Sequence, residues 1–154
     1  MKQILIACIG NIFLGDDGFG IYVGRELLQR NLPDNARLID FGIASRNLAF
    51  ELTRNYDLVI IVDAVKRNKQ PGALCLIEPE LSTAHQINSS AHDFDLEKAL
   101  QFAVSLGAEL KKVMIVGCEP ESFEREDLSL KVKNAVQAAA DLVERIVADE
   151  NKRS

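Results

Sequence analysis

Residues 4–28 read ILIACIGNIFLGDDGFGIYVGRELL. The opening six, Ile4 to Ile9, are apolar throughout, the pattern of a strand covered from both sides. From Gly20 the period changes to that of a helix, with Ile21, Gly24, Leu27 and Leu28 along one face. A buried strand that passes through a loop into an amphipathic helix is the first unit of a doubly wound α/β fold. The loop poses a further question. Asp16 and Asp17 stand side by side among Gly10, Gly15, Gly18 and Gly20, and a turn alone needs no doubled negative charge.

The same alternation continues along the chain. Strand-like runs recur as ARLIDF (36–41), LVIIVDA (58–64), ALCLIE (73–78) and KVMIVGC (112–118). Helical patterns lie at RNLAFELTR (46–54), at FDLEKALQFAVSLG (94–107), closed by Gly107 as a C-cap, and along Val132, Ala135, Val136, Ala139, Val143 and Ile146. The order predicts one α/β domain over 1–154. It is a three-layer sandwich with a mostly parallel, twisted five-stranded sheet and helices on both faces. One strand is expected to be antiparallel: VDAVKRNKQPGALCLIE (62–78) joins two strand runs through a turn too short for a crossover helix, so those two are expected to pair.

With 154 residues, 47% hydrophobic and 27% charged, the chain can bury one core and is too short for two ordinary domains. A formal charge of -5 argues against nucleic acid or an anionic membrane as partner. Cys8, Cys75 and Cys118 each sit in an apolar run, with no Cys-x-x-Cys pairing, which fits a reducing cytoplasm rather than a zinc or disulfide framework. The N-terminal MKQILIACIG lacks a cleavage pattern, and no segment reaches the ~20 apolar residues of a membrane helix.

Open parallel sheets bind ligands beyond the C-terminal ends of their strands. There this sequence places Asp16 and Asp17, Asp40, Asp63, Glu119 and Glu121. Asp63 follows the apolar LVIIV, so its charge is paired, metal-bound or facing a crevice. Asp16 or Asp17 is suited to capping the next helix, Asp40 to a turn, and Glu119 and Glu121 to hydrogen-bonding loop positions. Several carboxylates converging on one crevice nevertheless repel one another unless a cation or proton sits among them. His92, in INSSAHDFD (87–95), adds an imidazole ahead of the third helix. Two carboxylates and an imidazole suit nickel, zinc, iron or manganese. His85 has no acidic neighbour of this kind.

Other chemistries fit less well. Bulky NIFL separates Gly10 from Gly15, unlike a dinucleotide fingerprint, and neither a phosphate-binding Gly-Lys-Ser/Thr nor a Gly-x-Ser-x-Gly nucleophile elbow occurs. A receiver-like, magnesium-binding signalling domain would also gather aspartates after its first and third strands. It carries a lysine after its last strand, where this chain has VGCEPE.

IGNIFLGDDGFG (9–20), VDAV (62–65), the loop histidine and VGCEPESFEREDLSLKVKNAVQAA (116–139) together resemble the hydrogenase maturation endopeptidases. The resemblance implies a cytoplasmic, monomeric peptidase. Its partner would be the large-subunit precursor of a nickel-iron hydrogenase, from which it removes a C-terminal extension after nickel insertion. It further implies that Asp17, Asp63 and His92 are the metal-contacting and catalytic residues. The nickel would be carried by the substrate, with weak or no resident metal. Asn11, Asp16, Asp40 and Gly42 are assigned to substrate binding; here DFGIAS (40–45) departs from the family's Asp-Gly-Gly-Thr. A non-catalytic nickel-site chaperone, which would bind the precursor and leave its length unchanged, is a further alternative.

Overall fold

The computed structural model describes residues 1–81 and 95–153. Its strands are β1 (Ile4–Ile9), β2 (Ala36–Gly42), β3 (Leu58–Ala64), β4 (Leu74–Ile77) and β5 (Val113–Cys118). Its helices are α1 (Phe19–Leu28), α2 (Ser45–Leu52), α3 (Leu96–Ser105) and α4 (Leu130–Lys152), with a 3-10 turn at Gly15–Gly18. The sheet order is β2-β1-β3-β5-β4, parallel except where β4 meets β5.

The strands alternate between two cores, as period-2 geometry requires. Ile4, Ile6 and Cys8 of β1, with Leu58, Ile60 and Val62 of β3, pack among residues of α1 and α4. Leu5, Ala7 and Ile9, with Val59 and Ile61, pack among residues of α2 and α3. Helices on both faces explain why β1 and β3 have no polar side until Asp63. The α3 helix ends as its sequence indicates: Gly107 adopts φ +98°, its N–H donates to Val104 O, and the N–H of Ala108 donates to Ala103 O. Among the described residues no helix is long and apolar enough to cross a membrane.

One expectation is corrected. The strand after the Lys-Gln-Pro-Gly turn is antiparallel, but its partner is β5 rather than β3. The connection arches over the end of β5: Val65 N donates to Cys118 O on one side, and Glu119 N donates to Ala73 O on the other. Glu119 Oε1 accepts the N–H groups of Arg67 (2.7 Å) and Lys69 (3.0 Å) and fixes the arch. The physical reason is burial. The apolar β5 needs a neighbour on each edge, which leaves the half-exposed β4 as the edge strand.

Gly20 sets how closely α1 meets the sheet. A Cβ there would stand 2.2 Å from Val62 O and 2.3 Å from Ile9 O, both backbone atoms that cannot yield cheaply. Gly20→Ala is therefore expected to cost roughly 3 kcal/mol or more in denaturant unfolding. A loss below about 1 kcal/mol would show that the helix can ride outward without consequence.

Candidate functional site

After β1 the chain crosses to β2 on one side, and it later enters β3 on the other, so the sheet's switch point lies between β1 and β3. A crevice at the C-terminal edge belongs there. The turn that carries Asp17 packs against β3, and Asp63 is the penultimate residue of β3. These two carboxylates therefore reach the same edge from neighbouring strands.

The loop after β1 closes upon Asp17. Asn11 N donates to Asp17 Oδ2 (3.1 Å), while Asn11 Oδ1 accepts from Phe13 N (2.9 Å) and its carbonyl accepts from Leu14 N. Gly10 permits this closure: at φ +149°, a Cβ there would lie 2.1 Å from Asp17 O. Asp17 is 1% exposed and Asp63 is 3% exposed. Asp63 Oδ1 accepts the N–H of Ala64 (2.8 Å), and strand alternation puts its side chain on the α2/α3 face with Val59 and Ile61.

Asp16, which the resemblance assigns to substrate binding, is held within the protein. It is 0% exposed, and both its oxygens are engaged by the segment that follows β5. Oδ2 accepts from Glu121 N (2.7 Å), Ser122 N (3.1 Å) and Ser129 Oγ (2.8 Å), and Oδ1 accepts from Ser129 N (2.7 Å). Ser129 is the N-cap of the 23-residue α4, and its hydroxyl makes no cap bond of its own. A carboxylate supplied from another element thus stands at the positive end of the longest described helix. Adjacent aspartates divide: Asp16 is tied to the segment after β5, whereas Asp17 is bound within its own loop by Asn11 N. Ser129 is not among the residues singled out from the sequence; a serine just before a long apolar stripe is the signal that could have found the cap, while its link to Asp16 has no local signal.

Asp40 is exposed, and its Oδ1 accepts from Gly42 N (2.8 Å) in a local turn. Gly42 O in turn accepts from Gly10 N (2.9 Å), so the loops after β1 and β2 are joined. Glu119 serves the arch described above, and Glu121 is exposed. Two of the cysteines, Cys8 and Cys118, are buried. Burial, aided by Asp40, pushes the Cys8 thiol up to about 12; burial, aided by Asp16, Cys75 and Glu119, does the same to Cys118.

His92 and His85 lie outside the described residues. Asp95 caps α3 by accepting from Lys98 N (3.1 Å). Beyond its other end, Glu109 N donates to Asn55 Oδ1, in the turn that precedes β3. The helix therefore runs counter to β3, and Asp95 stands toward the edge that carries Asp63. Among the described residues no three His, Cys, Asp or Glu side chains are gathered to hold a metal ion.

Comparison with known proteins adds an independent line. A family model described as hydrogenase maturation protease matches residues 21–146. The hydrogenase 2 maturation protease of Escherichia coli K12 is 34% identical over 125 residues, covering 79% of this chain and 76% of that protein. The solved structure of the hydrogenase maturating endopeptidase HybD from Escherichia coli superposes with a TM-score of 0.84 at 29% identity, covering 96% of this chain and 93% of that one. A hydrogenase 2 maturation peptidase from Thaumarchaeota archaeon SCGC_AB-539-E09 gives a TM-score of 0.74 at 34% identity, covering 96% and 99%.

Proposed function

Because this chain belongs to the hydrogenase maturation proteases and is a peptidase in the C-terminal processing of a hydrogenase large subunit, we propose that Asp17, Asp63 and His92 engage a nickel ion that the precursor brings with it. The observation that carries this reading is the pair of buried carboxylates on either side of the β1/β3 switch point. Two such groups at one edge favour a cationic ligand, because each raises the cost of the other's charge. Oxygen donors and an imidazole, with no thiolate, hold a free divalent ion weakly. They bind it well only when the precursor supplies the remaining ligands.

On this reading the ion is part of the substrate. It marks a precursor that is ready for processing, and as a Lewis acid it polarises the peptide carbonyl beside it. A water adds to the carbonyl carbon while one of the two carboxylates takes its proton. The C–N bond then breaks, and that proton passes to the departing amine. Asn11 holds Asp17 in place, and the Asp40–Gly42 turn, tied to Gly10, forms the substrate-facing loop. The protein acts in the cytoplasm as a monomer and keeps no resident metal.

The test is to incubate the protein with nickel-loaded and nickel-free precursor. Cleavage confined to the loaded form is expected, and equal cleavage of both would contradict substrate-borne recognition.

A further inference from the structure

Asp17 and Asp63 lie too deep to supply much contact area, so a precursor must be held by the rim around them. The turn that encloses Asp17 carries the most exposed aromatic side chain among the described residues, Phe13, at 81%. Other exposed apolar side chains belong to other elements: Leu28 and Leu130 to helix ends, Leu76 to the edge strand, and Phe50, edge-to-face on Phe102, to α2 and α3 together with Val104 and Leu106 at the end of α3.

Phe13 differs in how its backbone is held. Its N–H is bound by Asn11 Oδ1 at 2.9 Å, Leu14 N donates to Asn11 O at 3.1 Å, and Asp17 N donates to Leu14 O at 3.1 Å. Asn11 N closes the circuit on the Asp17 carboxylate. An aromatic ring presented on a turn so constrained loses little freedom on binding, which is the economy of a good anchor. The loop after β2, joined to this one where Gly10 N donates to Gly42 O, carries a second exposed apolar side chain, Ile43, at 40%.

We infer that Phe13, with Ile43 of the joined loop, anchors an apolar segment of the hydrogenase large-subunit precursor at the mouth of the site. The inference rests on the processing reading above. Phe13 contributes binding rather than chemistry, and the same contact serves ground state and transition state alike.

Kinetics and calorimetry on the full chain with nickel-loaded precursor test it. Phe13→Ala is expected to raise KM and Kd about tenfold with kcat within about twofold of the parent, and Phe13→Leu to recover most of the loss. The melting temperature should not move, because the side chain buries little. Unchanged Kd and KM in Phe13→Ala would overturn the inference while parent activity upholds the processing reading. If the parent itself fails to cleave, that reading falls, and the Kd comparison still decides Phe13. A concentration-dependent dimer that Phe13→Ala dissolves would identify a second copy as the occupant and also overturn it.

Discussion

Asp63→Asn and Asp17→Asn are each expected to reduce precursor processing on the order of 10²- to 10⁴-fold while leaving the fold intact. Asparagine keeps the shape of aspartate and an acceptor oxygen. Ala64 N can still be bound at position 63, and Asn11 N at position 17. What disappears is the negative charge, which the proposed chemistry needs both to hold the cation and to take a proton. Stability should change by no more than about 1 kcal/mol, since the hydrogen bonds survive and a buried charge is removed. Full activity in either variant, measured as loss of the precursor tail on a gel, would remove that carboxylate from the site. Lost activity with lost folding would point instead to a structural role.

Asp16→Ala is expected to show the opposite balance, with stability affected first. The substitution strips the acceptor from the N–H groups of Glu121, Ser122 and Ser129 and from the Ser129 hydroxyl, in a position closed to water. It also removes the negative charge at the start of α4. Each stranded buried donor is costly, so the loss should be on the order of 3–5 kcal/mol by denaturant unfolding. Ser129→Ala provides the internal scale. It takes away one of these bonds and should cost about 1 kcal/mol. Activity of Asp16→Ala falls as well, because the turn that carries Asp17 is no longer tied to the segment after β5. A stability loss below about 1 kcal/mol would mean that water replaces Asp16, and that the loops flanking the site hold together without it.

Much of this arrangement could be read from the residues alone. The strands ended where their apolar runs ended, so the acidic residues at those ends fell along one edge of the sheet. The helices were legible from their periods and, for α3, from Gly107. The β4 partner was not. A short turn between two strand runs favours their pairing, and nothing local announces that β5, which follows β4 by 35 residues, will insert between them. The two aspartates were likewise indistinguishable by composition. In a 3-10 turn successive side chains point about 120° apart, so one carboxylate meets Ser129 at the start of α4 while the next meets Asn11 in the loop after β1. The partners of Asp16 lie more than 100 residues away, beyond the reach of any local pattern. Glu119 shows the same limit. Its place at a strand end suggested the crevice or a loop bond, and only the three-dimensional path of residues 65–73 shows why the loop bond wins.

On the proposed mechanism this protein completes the coordination of a metal ion already held by its substrate. Nickel K-edge X-ray absorption of the loaded precursor, alone and bound to the protein, measures this directly. New oxygen and nitrogen neighbours around nickel are expected in the complex, diminished when Asp17, Asp63 or His92 is replaced. A spectrum unchanged by complex formation would contradict it.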